Sequence, residues 1–187
     1  MPRTVLAGAL LLAALGAASP ARAAPDFKPT GEVILVGLGP GFGASFDAER
    51  VVGPNVNLTR RGEDAWAGDI AGLDVDLSVQ GGHITGPNVD LHVARQGERT
   101  EIRGLLRGKV VRLEVDAKKV SGRSGVCSLE LRRDQAGDYE GDLGCVGRRS
   151  ALPATGRSFL RVQGDAATPE RRPFPQFALA LVAIIPG

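Results

Sequence analysis

A six-residue stretch occurs twice. Gly53-Pro54-Asn55-Val56-Asn57-Leu58 returns as Gly86-Pro87-Asn88-Val89-Asp90-Leu91, 33 positions later. A weaker third copy begins at Gly122 and continues Val126-Cys127-Ser128-Leu129. The downstream halves also align. Gly68-Asp-Ile-Ala-Gly72 precedes a run of alternating character, as Gly104-Leu-Leu-Arg-Gly108 does, and Gly141-Asp-Leu-Gly144 takes the same place in the third copy. Self-similarity at a fixed spacing means one supersecondary unit used several times. The unit reads as strand, polar turn, strand, Gly-rich bend, strand.

Within the units the hydrophobic period is two. Leu73, Val75, Leu77 and Val79 alternate with Asp74, Asp76 and Ser78, and Val111, Leu113 and Val115 alternate with Arg112, Glu114 and Asp116. One apolar and one charged face is the mark of antiparallel strands with a solvated side. Arg95, Arg99, Arg103 and Arg107 fall four apart, as on a helix, but Gly97, Gly104 and Gly108 interrupt them. The fold class expected is all-β, with antiparallel meander repeats forming a small barrel or sandwich.

Two hairpin registers follow. Folding about Arg95-Gln96-Gly97-Glu98 sets Leu91 opposite Ile102, His92 opposite Glu101 and Asp90 opposite Arg103. Folding about Asp134-Gln135-Ala136-Gly137 sets Leu129 opposite Leu143, Arg132 opposite Glu140 and Cys127 opposite Cys145. These are the chain's two cysteines. A Cys127–Cys145 disulfide is expected, because an exported protein oxidises such a pair.

Export is read from the first residues. Arg3 is a short basic region, Val5 to Leu15 is apolar and uncharged, and Ala21-Arg22-Ala23 is a small-x-small cleavage site. The pattern is that of a signal peptide over residues 1–23, with a periplasmic or extracellular destination. The apolar stretch is shorter than a spanning helix needs. Arginine exceeds lysine 19 to 4, which together with abundant Ala and Gly points to a GC-rich bacterial source. A β-repeat domain is expected over 24–163. Residues 164–187 read as a linker followed by a C-terminal closing strand, the apolar run Phe177 to Ile185.

Charge narrows the partners. The 23 basic and 21 acidic residues of the whole chain become equal once residues 1–23 are removed, so the basic footprint of a nucleic-acid binder is missing. Residues 24–90 hold 4 basic and 10 acidic side chains, and residues 91–163 hold 15 and 9. The expectation is that the halves pair across the sheet and cancel. The alternative is a dipolar surface that orients a partner.

Motifs add little chemistry. Gly39-Pro40-Gly41-Phe42-Gly43-Ala44 matches a dinucleotide-binding fingerprint loosely, without the βαβ context that gives it meaning, and reads as a glycine loop. The Gly53–Leu58 stretch resembles the opening motif of type II dehydroquinases, which implies an α/β domain with a catalytic Tyr. Here the motif recurs inside a β repeat and the single tyrosine is Tyr139, so no residue role is carried over. Ser124 and Ser128 lack a nucleophile elbow. Aromatic residues make up 4% of the chain, too few for a stacking platform or for membrane-barrel girdles.

His92, Asp90, Glu101 and Arg103 are the ligand-binding candidates, because the hairpin gathers them on one polar face. Asp90, His92 and Glu101 would be the raw material of a surface metal site or a general base, but the linear spacing is not that of a metal motif. No catalytic residue, cofactor or metal is expected. The function expected is an exported, non-catalytic envelope protein, a binding or structural β module whose partner is an envelope component or small ligand. A secreted hydrolase and a small outer-membrane barrel are the alternatives.

Overall fold

The computed structural model describes residues 27–37, 39–146 and 154–186; the expected signal peptide lies outside them. Among these residues fourteen antiparallel strands close into one barrel. In chain order they are β1 (Gly31–Gly37), β2 (Gly39–Phe46), β3 (Arg50–Gly53), β4 (Val56–Arg60), β5 (Ala65–Ile70), β6 (Leu73–Gln80) and β7 (His83–Gly86). The wall continues with β8 (Val89–Gln96), β9 (Arg99–Leu106), β10 (Lys109–Val115), β11 (Lys119–Ser124), β12 (Cys127–Arg133), β13 (Tyr139–Cys145) and β14 (Ala154–Gly164). Each strand pairs with its neighbours in sequence, and β14 returns to β1, with Val33 opposite Val162. Closure removes the free edges that an open sheet would expose. The glycine-rich stretch from Gly39, expected to be a loop, is strand β2.

The C-terminal run is not a closing strand. Residues Gln176–Ile184 form a helix, α1, and every one of them is buried. A strand here would have no edge to join, since β1 and β14 already hold each other, and its backbone N–H and C=O groups would be stranded in an apolar lumen. A helix bonds its own backbone, and Ala178, Leu179, Ala180, Leu181 and Ala183 favour it. Such a uniformly apolar helix belongs in an interior. It starts at the mouth formed by the turn after β2, where Gln176 Nε2 donates to the Ala48 carbonyl at 3.2 Å. It ends at the opposite mouth, where Val182 and Ile185 lie beside Asn55 and Gly72.

Residues 165–175 are not a free linker either. They fold over the first mouth as a strap. Arg95 donates to the carbonyls of Glu170 (3.0 Å) and Arg172 (2.7 Å). The Arg172 side chain is buried and bonds the carbonyls of Ala166 (2.9 Å) and Val115 (3.3 Å).

The repeat unit has four strands, not three. The Gly53-Pro54-Asn55-Val56 turn joins β3 to β4, its copy joins β7 to β8, and Gly125-Val126 joins β11 to β12. Asn88 sits at φ +60°, a left-handed conformation that Asn tolerates in a turn. Three units therefore make β3–β14. The third strand of each carries a large inward residue two positions before an inward glycine: Trp66 and Gly68, Ile102 and Gly104, Tyr139 and Gly141. Each glycine faces a leucine of the preceding strand: Leu58, Leu91 and Leu131. At each glycine the backbone of the preceding strand comes so close that a Cβ would run into the carbonyl of Asn57, Asp90 or Glu130.

The third hairpin has the expected register. Leu129 faces Leu143, Arg132 faces Glu140, and Cys127 is bonded to Cys145. In the second hairpin the turn is tighter, Gly97-Glu98, so the pairing slides by two residues. His92 faces Arg103, not Glu101, Asp90 faces Leu105, and Leu91 faces Gly104. Side chains keep their faces, because the slip is an even number.

The charge halves do not cancel across the sheet. In a meander each half pairs with itself, so strands β1–β7 and β8–β14 occupy separate halves of the wall. They meet only near the β7–β8 and β14–β1 seams.

Candidate functional site on the outer wall

A row of basic side chains crosses the strands. His83 faces His92 across β7 and β8, His92 faces Arg103, Arg103 faces Arg112, and Arg112 faces Arg123 on β11. All point outward, because the buried residues Ile84, Leu91, Ile102, Leu113 and Val120 define the opposite face. Adjacent strands lie about 4.8 Å apart, so the row extends about 19 Å.

Acidic side chains form the next row along the strands, with Glu101 directly opposite Glu114. They are drawn largely to the far side. Arg99 reaches Glu114 at 2.6 Å and Glu101 at 3.8 Å, and Lys119 reaches Glu114 at 3.5 Å. From the row itself Arg103 engages Glu101. Arg112 and Arg123 are exposed and make no ion pair or side-chain hydrogen bond with any other described residue. Like charges directly opposite each other destabilise a sheet.

The repeat does not impose this row. The position before the inward glycine is Arg103 in the second unit, Ala67 in the first and Glu140 in the third. Beside the row, toward the mouth where α1 ends, Leu105 and Val110 face each other and are 44% and 45% exposed.

At the β7 end the row meets a carboxylate. His83 Nε2 lies 2.7 Å from Asp90 Oδ1. The two imidazole rings stack with centroids 3.8 Å apart and planes 16° from parallel. One donor atom from each of His83, Asp90 and His92 lies within 4.8 Å of the others.

Of the candidates read from the sequence, His92 and Asp90 are brought together with His83. Glu101 and Arg103 form an ion pair further along. Arg112 and Arg123 were missed. Their outward phase was legible, but their alignment with Arg103 depends on registers across two further turns.

The mouths offer different chemistry. A cleft of about 490 Å³ where α1 ends is lined by Asn55, Gly72, Leu106, Arg107, Lys109 and Ile185. At the other mouth a smaller cavity, about 160 Å³, lies among Val93, Thr100, Arg172 and Phe177. Burial holds the Arg172 guanidinium below the usual arginine range, partly offset by the Tyr139 hydroxyl. Comparison with known protein families, with curated proteins and with solved structures found no significant match.

Proposed function

We propose that this chain is an exported, non-catalytic β-barrel module that binds a linear anionic glycan of the cell envelope along its outer wall. The observation that carries this reading is the Arg103–Arg112–Arg123 row. Two of its three guanidiniums lack a partner among the described residues although their strands place them side by side. Regularly spaced carboxylates or sulfates would relieve that repulsion. The strand spacing is comparable with the length of one sugar residue, and Leu105 and Val110 offer an apolar strip for ring faces.

Two features support a wall rather than a lumen site. Helix α1 occupies the interior, the place where a smaller barrel would hold a ligand. The outward positions Asp74, Asp76, Arg112, Glu114, Glu130 and Arg132 suit water, whereas a lipid-facing barrel wants an apolar band there. Export is supported by the leader pattern and by the disulfide, which suits an oxidising compartment.

The test starts with the chain from Ala24, secreted and purified without detergent. Titration with dextran sulfate and polygalacturonate should show binding that weakens steeply with salt, as expected when cations release counterions. An Arg112→Gln/Arg123→Gln double variant should bind at least about tenfold more weakly at low salt. Unchanged binding by that variant would remove the proposal. Recovery only in detergent would bring the membrane barrel forward.

A further inference from the structure

We propose that His83, His92 and Asp90 form a site for a divalent transition-metal ion, with the donor set of a zinc centre, on the outer wall of β7 and β8. The inference stands apart from the glycan reading and does not rest on it.

The chain contains two histidines among its 187 residues, and both occupy one directly opposed cross-strand pair. The repeat does not dictate this, because the matching pair in the first unit is Arg50 opposite Thr59. Ring stacking at 3.8 Å places the two imidazoles side by side on the outer wall, from where the rings would splay so that one nitrogen of each converges on a shared ion. The Asp90 carboxylate, 2.7 Å from His83 Nε2, is the third oxygen or nitrogen donor in reach.

Zinc binds imidazole nitrogen and carboxylate oxygen at about 2.0–2.2 Å, so ligand atoms around one tetrahedral ion sit about 3.3 Å apart. The present donors lie within 4.8 Å of one another. The remaining approach is a matter of side-chain torsions at an open surface, while the β ladder holds the backbones. Three protein ligands leave a position facing solvent, as in zinc sites that retain a water. Across from His92 on β9 is Arg103, whose charge Glu101 engages. Across from Asp90 on β7 is the uncharged Thr85.

The experiment is a ZnCl2 titration of the untagged, disulfide-bonded chain from Ala24, followed by NMR of the imidazole side chains and by calorimetry. With two histidines present, every imidazole signal is assigned. Both rings should shift together and saturate at one equivalent. His83→Gln and His92→Gln should each weaken binding at least about tenfold, the scale of losing even a supporting group at a metal site. Asp90→Asn should weaken it less. Unmoved imidazoles at millimolar zinc, a shift of one ring alone, or binding that survives in the His83→Gln/His92→Gln double variant would each overturn the site.

Discussion

Arg112 stands directly opposite Arg123 on the outer wall, and each guanidinium lacks a charged partner among the described residues. Cross-strand like-charge pairs cost a few tenths of a kcal/mol to about 1 kcal/mol. Arg112→Gln should therefore stabilise the free protein by about 0.5 kcal/mol in low-salt urea denaturation. The same substitution should weaken glycan binding, so stability and binding move in opposite directions. The gain should fade as salt screens the pair.

The Cys127–Cys145 bond closes a hairpin loop, with the cysteines 18 positions apart. In the chain-entropy model such a loop contributes about 3 kcal/mol. A Cys127→Ala/Cys145→Ala variant should lose about that much in urea denaturation while keeping its β-sheet circular dichroism. Unchanged stability would mean that the reduced chain already holds the hairpin closed.

Asp138 and Arg161 form a paired contact, with Arg161 Nε 3.0 Å from Oδ1 and Nη2 2.6 Å from Oδ2 of Asp138. This hydrogen bonding lowers the Asp138 carboxyl below its ordinary value, the Arg161 charge adding to it. A carboxyl depressed in the folded state stabilises above its unfolded value, near 3.9, and that stability is lost as pH falls through the folded value. The difference in melting temperature between the native protein and Asp138→Asn should be constant from about pH 5 to 7 and shrink below about pH 4. A gap that persists at low pH would mean that Asp138 acts through packing rather than charge.

Gly104 lies at φ +141°, and a Cβ there would run into the Asp90 carbonyl. Gly104→Ala should cost about 2 kcal/mol or more, since strain and overlap add. Gly43→Ala is the control: a Cβ there would meet nothing nearer than 3.7 Å. It should change stability by less than about 0.5 kcal/mol. Equal costs would mean that the close approach at Gly104 is not needed for closure.

Arg172 ties the strap to the barrel through the Ala166 and Val115 carbonyls and lies over the Phe177 ring at 5.1 Å. Arg172→Met keeps much of the volume and removes the donors. It should cost about 2–3 kcal/mol, because the carbonyls are left buried without partners. Trypsin cleavage at the exposed Arg171 should accelerate with it, and unchanged cleavage would mean that Arg95 alone holds the strap.

The alternation of Leu73–Val79 and Val111–Val115 identifies strands and their buried faces, because period two is a local property of the backbone. The turn residues of the third hairpin set its register, and the disulfide followed from that. In the second hairpin the two-residue turn at Gly97-Glu98 won over a four-residue loop, which moved His92 from Glu101 to Arg103. Such a slip leaves faces unchanged, so hydrophobic patterning cannot detect it. The apolar run at Phe177–Ile185 is ambiguous for a related reason. A fully buried strand and a fully buried helix both lack an exposed side to betray their period.

The local pattern of this chain was enough for its β class, its repeated framework, its inward faces and its disulfide, all of which depend on neighbours along the chain or across one turn. Closure of fourteen strands, the helix in the lumen and the His83–His92–Arg103–Arg112–Arg123 row depend on registers accumulated over many turns. They depend also on β14 finding β1, and a sequence written in one dimension does not display those distances.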